Sequence, residues 1–338
     1  MRLSLFVVDF HLEKSTLEGR AVEQLPALGA LESLLCRGRR LPAQPDWRAA
    51  LLTEVGLPAS PAVAPARVAA RMLDTARPDG AWLAQPVHRV AGLSNVSLHP
   101  AGLLRLSAQE AGEWSRDFNR DFAGSGLRLH ALAPGLLLEG LPASTSGGSD
   151  PAQFLGSRLP ATLSSSSAER PLRQASAEIE MWLHEHPRNR ERERRGELPL
   201  NGLWLWGGQG SELPSGSSVP VPLPQAMGVD PFLRGLWRAL GATAQEVQRF
   251  AELPANTSPA IVVQSAAAQS PRDQPMLRLE ADWFAPMADA LARRELLRLR
   301  LWIGGRGWEV VPSRLSRIGW AGHLPWRRPR PWWQQVTA

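Results

Sequence analysis

Strand-like and helix-like runs alternate along the whole chain. Leu3 to Val8 reads as a strand. Pro26 to Arg37 puts Leu28, Leu31, Leu34 and Leu35 on one helical face, with Gly38 as its stop. Asp46 is placed to cap a helix carrying Trp47, Ala50, Leu51 and Val55, ended by Gly56. Ser60 to Pro78 is Ala- and Pro-rich and reads as a loose helix or a connector. Pro86 to Val90 and Leu103 to Leu106 read as short strands. Ser107 and Glu110 have the spacing of a capping box that opens a helix towards Phe122. Leu127 to Leu132 and Leu136 to Leu141 follow as strands around the Ala133, Pro134, Gly135 turn.

From Leu141 to about Arg170 the pattern weakens, with serine clusters at both ends and Asp150 opening at most a short helix. Ala175 to His186 then carries Ile179, Trp182, Leu183 and His186 near one helical face, stopped by Pro187. Asp230 and Pro231 form an N-cap and first turn, and Phe232, Leu233, Leu236, Trp237 and Leu240 make the buried stripe. Thr243 with Glu246 predicts a further helix through Val247 and Phe250. Ala260 to Val263 is a strand, and Leu279 to Arg293 a helix that Pro286 kinks or restarts. Leu297 to Leu301 alternates strictly, and Gly304 to Gly307 would turn it into Trp308 to Val311, a closing hairpin. The predicted fold class is α/β: a mixed sheet flanked by helices, with an antiparallel hairpin near the C-terminus. The divisions are an α/β region at 1–142, a Ser/Pro-rich connector at 143–174, a second α/β region at 175–312 and a basic end at 313–338.

The stretch richest in chemistry is His184 to Gly210. Leu203, Trp204, Leu205 and Trp206 predict a strand buried on both faces, as at the centre of a parallel or mixed sheet, and Gly207, Gly208 and Gly210 follow at once. Open α/β sheets keep their ligand crevices at such strand ends, so a ligand-facing loop is one reading and a tight turn the other. No Gly-Lys-Ser/Thr follows, and no helix opens, so neither a Walker loop nor a dinucleotide fingerprint is present. Upstream, the Arg188 to Arg195 run reads as an exposed, self-paired helix, or as one lending Arg192 to a phosphate or carboxylate beside the glycines. Asn189 and Asn201 are expected to tie loops together near Gly207. His184 and His186, two apart on a helix, diverge and do not form a metal pair.

His186, Pro187, Asn189, Arg192, Gly196, Pro199, Asn201 and Leu203 to Gly210 resemble a motif of archaeal-type cofactor-independent phosphoglycerate mutases. A looser resemblance over most of the chain is to a bacterial family known as phosphoglycerate-mutase-like, or regulatory proteins of the RpfE type. It takes in Pro86 to His88, the Glu110 to Phe122 region, and Glu178 to Met181. The resemblance implies an alkaline-phosphatase-like α/β fold, two metal ions and a phosphate-carrying serine or threonine. The sequence departs from it in its ligands. After His186 the one remaining histidine is His323, and Asp230, Asp273, Asp282 and Asp289 have no histidine neighbour. Asp9 stands after the first strand, where such families place a ligand, but lacks the glycine that follows it there, and an aspartate at a strand end is more often a turn or cap residue.

The expectation is therefore a catalytically degenerate protein that binds a small anionic ligand or a protein partner. The residues expected at the ligand are Asn189, Arg192, Asn201, Trp204, Trp206, Gly207, Gly208 and Gly210, with His88, Glu178 and His186 as further candidates. No metal site and no cofactor are expected; Mn or Mg would accompany the alternative, a phosphomutase or phosphatase. Composition leaves this unchanged: 338 residues, 43% hydrophobic and 21% charged, suit a soluble globular chain. The single cysteine, Cys36, excludes a disulfide framework and fits a cytoplasmic setting, and no run is long enough for a membrane span. Beyond Glu309 there are no acids but five arginines, interleaved with Trp320, Trp326, Trp332 and Trp333. A nucleic-acid partner stacked on those rings is a further alternative, against tryptophans folded back on the domain.

Overall fold

The computed structural model describes residues 1–10, 25–58, 63–74, 79–93, 95–159, 167–211, 213, 222–254, 259–268, 270, 272–312 and 330–337. Most of the loop after Ser211, and the basic segment through Pro329 with Trp320 and Trp326, lie outside them. The fold is mixed α/β, built on two sheets. The first has six strands in the order β2 (Arg39–Arg40), β11 (Arg306–Val310), β10 (Arg298–Ile303), β1 (Arg2–Val8), β9 (Ala260–Ser265), β8 (Gln225–Met227). From β10 to β8 neighbouring strands are parallel, while β11 and β2 run antiparallel.

β1 is central, and its two faces feed two cores. Leu3, Leu5 and Val7 pack under α1 (Gly29–Arg37), with Leu31, Leu34 and Leu35, and under Trp283, Phe284 and Met287. Trp283 and Phe284 lie in a π-helical segment, Glu280–Phe284, that joins α8 (Pro275–Leu279) to Met287 on α9 (Ala285–Ala292). The wide turn stands just before Pro286, which has no N–H to continue an α-helical ladder. Phe6 and Val8 pack instead under α2 (Trp47–Glu54) and α7 (Pro231–Ala239).

In the second sheet β3 (Trp82–Ala91) is flanked on one side by β4 (Val96–Leu103) and β6 (Gly135–Glu139) and pairs also with β7 (Gly202–Trp206). β5 (Arg128–Leu132) pairs with β6, and every pairing is antiparallel. One face packs on α4 (Ala108–Asp121) and α5 (Arg170–Glu185) through Trp114, Phe118, Ile179 and Leu183. The other meets α3 (Pro65–Ala70), whose Ala66, Ala69 and Ala70 touch Leu83, Leu137 and Trp206 while its Val68 joins the first sheet's core. α3 is thus the filling between the sheets. It approaches α7 at Gly235, where a Cβ would lie 2.1 Å from the Val68 carbonyl.

Three expectations change. β7 is a strand, but it is antiparallel, and among the described residues its strand partner is β3. Its two-sided burial comes from helices above and below, not from strands on both edges. Thr243 opens no helix: Gln245 pairs by backbone with Ala226 and Gly228 beside β8, which holds this stretch extended. Within the connector Asp150 caps a short 3-10 turn, Pro151–Phe154, as its sequence allowed. The sheets do not follow the division near residues 142 and 175, because β1 pairs with β9 and β10 while everything from β3 to β7 forms the second sheet. Trp332, on the last helix α10 (Trp332–Thr337), folds back into the first core, its indole donating to the Pro26 carbonyl at 2.9 Å. No described helix is long and apolar enough to cross a membrane.

Candidate anion-binding site

β1, β8 and β9 run parallel, so their C-terminal ends lie side by side. Asp9 follows β1, Asp230 follows β8, and Ser265 ends β9. The second sheet faces these ends with Gln85, Arg105 and Trp206, and the crevice, about 70 Å³, is also lined by Arg48 and Asp150. This is where parallel sheets place ligands, because strand-end loops from several strands converge there.

Each group is held locally. Asp9 sits in left-handed backbone, φ 54°, and its Oδ2 accepts from the Ser265 hydroxyl at 2.7 Å. Asp230 caps α7, its Oδ1 accepting from the Phe232 and Leu233 N–H groups at 2.8 and 3.1 Å. The turn into Asp230 passes Gly228, φ 144°, where a Cβ would crowd the Val263 carbonyl at 2.7 Å. Arg48 donates to Asp150 at 2.8 Å, and its guanidinium lies between the Trp47 and Trp206 rings, 4.6 Å from each.

Burial and charge act together here. Desolvation raises Asp9 to about 6, with Asp150 adding to the rise and the Ser265 hydrogen bond opposing it. Burial raises Asp230 as well, against the pull of Arg48 and the α7 amides. Burial disfavours the Arg48 cation, but Asp150, Asp230 and Asp46 outweigh it and raise its pKa.

The donors are left unsatisfied. Arg48 and Trp206 are each only 8% exposed, yet among the described residues Arg48 Nε and Trp206 Nε1 have no hydrogen-bond partner. The half-buried Arg105 likewise has no hydrogen bond or ion pair with any described residue. Buried donors are almost always paired, and each unmet one costs about 1–3 kcal/mol, so two on the lining of one cavity call for an acceptor from outside.

The described residues do not assemble the ligand set of the two metal ions that the mutase resemblance implies. Among the described residues no three His, Cys, Asp or Glu side chains come together as a metal site. Asp9, Asp150 and Asp230 are bound to Ser265, Arg48 and helix amides, and the fixed positive charge among them is Arg48.

No family model matches the chain, and neither does any curated protein. Among solved structures it is similar to the cofactor-independent phosphoglycerate mutase of Thermoplasma acidophilum DSM 1728, at 16% identity over 93% of this chain and 94% of that one, with a TM-score of 0.39. It is also similar to the PH0037 protein of Pyrococcus horikoshii, at 13% identity over 92% and 87%, with a TM-score of 0.42.

Of the residues expected at the ligand, Trp206 lines the crevice and the others do not. Arg192 does not reach the glycines: it is buried with Glu110 at 2.7 Å and the Leu198 carbonyl at 3.0 Å. Those contacts sit before β7, whereas Gly207 follows its far end, roughly 16 Å on at strand rise. Asn189 donates to the Leu183 and Leu200 carbonyls and accepts from Leu200 N–H, and Asn201 pairs with both backbone groups of Arg89. Both amides tie the chain as expected, at the start of β7 rather than near Gly207.

The glycines serve packing. Gly207 O accepts from Ala66 N–H at 2.9 Å, capping α3, and a Cβ on Gly208 would meet the Trp82 ring at 2.4 Å. Gly210, φ 125°, precedes Ser211, whose carbonyl accepts from Ala64. His186 caps α6 (Pro187–Arg194) and packs on Trp114, burial holding its pKa down; His88 bonds the Pro199 carbonyl; Glu178 accepts from Gln174 on its own helix. Trp204 lines a second, larger groove of about 660 Å³ with Phe154 and Leu172, where Arg89 is already paired to Glu180 at 2.7 Å. That groove carries no comparable unmet donor among the described residues.

The residues that make the crevice are Asp9, Arg48, Arg105, Asp150, Asp230 and Ser265. Asp9 was visible as an acid after a strand, and Asp230 as a helix cap. Nothing local marks Arg48 or Arg105.

Proposed function

We propose that this chain is a phosphoglycerate-mutase-like protein of the regulatory type that binds a small anionic ligand in the crevice and does not turn over phosphoglycerate. The observation that carries the reading is the pair of buried donors without a partner among the described residues, Arg48 Nε and Trp206 Nε1, on a cavity that Arg105 also lines at the ends of β1, β8 and β9. Arg105 supplies a planar fork suited to two oxygens of one ligand, and Arg48, clamped between tryptophans, supplies charge without having to be ordered on binding. The motif resemblance in the sequence supports the family assignment, and Arg48, a fixed positive charge among these carboxylates, supports the lack of mutase chemistry.

Calorimetric titration with phosphate, sulfate and acetate tests the site. The parent should bind at least one of these, and Arg105→Gln should bind it tenfold or more weakly with its melting temperature unchanged in buffer. Absence of binding by all three, or equal binding by the variant, contradicts the reading. On the activity side, 3-phosphoglycerate incubated with the protein and Mn²⁺, Mg²⁺, Co²⁺ or Zn²⁺ should remain unconverted. Chelator-sensitive conversion above a blank would restore the phosphomutase alternative.

A further inference from the structure

Resting on that reading of the crevice, we infer that its ligand is a small 2-hydroxycarboxylate, recognised by its hydroxyl as much as by its charge. The donors do not stand alone. Both α7 amides go to Asp230 Oδ1, which leaves Oδ2 without a partner among the described residues. Gln85 donates through Nε2 to the Pro86 and Leu104 carbonyls, leaving Oε1 equally unused, and Asp9 has Oδ1 to spare beside the Oδ2 that holds Ser265. All three side chains line the same cavity as Arg48, Arg105 and Trp206.

A plain carboxylate or sulfate would answer the donors but bring more acceptor oxygens and negative charge against Asp9 and Asp230. A hydroxyl beside the carboxylate gives those acceptors a proton to share, so one ligand satisfies both sets. Size points the same way. A cavity of about 70 Å³ suits a small molecule.

The test compares matched pairs by calorimetry: glycolate against acetate, and lactate against propionate, with phosphate as a reference anion. In the parent each hydroxy acid should bind at least tenfold more tightly than its deoxy partner, since a site built to bond a hydroxyl discriminates against ligands that lack it. Asp230→Asn keeps an oxygen for the α7 cap but presents an amide N–H₂ in place of the free oxygen. It should bring the glycolate-to-acetate ratio close to one while still binding acetate. Equal binding of glycolate and acetate by the parent overturns this inference and leaves the anion site standing. Failure of every probe, phosphate included, overturns the anion site itself.

Discussion

Asp9 combines a backbone conformation that L-residues seldom adopt with a carboxylate deprived of water, a combination that concentrates at functional sites. Its pH signature has a definite sign. The folded chain holds this proton up to about 6, the unfolded chain only to its ordinary 3.8. Between those values the folded state binds more protons, so the stability from this group is greatest below the lower value and is lost as pH rises through the upper one. The difference amounts to roughly 3 kcal/mol at most. An asparagine at this position would still accept from Ser265 and tolerates positive φ, so Asp9→Asn should melt above the parent at pH 7.5 and lose that margin at pH 4. A constant margin from pH 4 to 7.5, measured by thermal unfolding, would contradict the buried carboxylate. Gly208 shows the opposite case, a residue whose prominence in the sequence came from packing. With the Trp82 ring 2.4 Å from where a Cβ would stand, Gly208→Val should cost more than about 2 kcal/mol in urea unfolding.

Elements whose signals are local could be read directly. The Ser107–Glu110 capping box, the Asp46 and Asp230 caps and the α7 stripe all form as their spacing predicts, because each is settled within one or two helical turns. Thr243 carried the same kind of signal and failed, because Gln245 found backbone partners beside β8 that a sequence window does not contain. The charged helix α6 was legible as a helix, but its partner was not. Arg188 and Arg192 reach across to Glu113, Asp117 and Glu110 on α4, so the run that invited a ligand is a bridge between two helices. Asn189 locks the start of β7 to the end of α5 through buried amide hydrogen bonds. Asn189→Ala should lower unfolding free energy by about 2–3 kcal/mol, since it strands the Leu200 N–H and two carbonyls. A loss below about 0.5 kcal/mol in denaturant titration would remove that role.

At the scale of the molecule, the site exists because the chain closes on itself. β1 lies between β9 and β10, and the second sheet, formed between β1 and β9 in sequence, brings Arg105 and Trp206 over the strand ends. Asp9 and Ser265, hydrogen-bonded at 2.7 Å, are 256 positions apart, a juxtaposition that local pattern does not encode. The same closure uses the far end: Trp332, 1% exposed, completes the first core beside α1. Trp332→Ala should therefore cost about 3–5 kcal/mol, and unchanged unfolding in urea would place that ring outside the core. The most direct test of the anion site is the indole proton of Trp206, buried and without a partner among the described residues. In a ¹H–¹⁵N spectrum, with Trp206→Phe identifying its cross-peak, saturating glycolate or phosphate should move that resonance downfield while those of Trp237 and Trp332 stay in place. A Trp206 peak that does not move while the anion binds would contradict the crevice as the site.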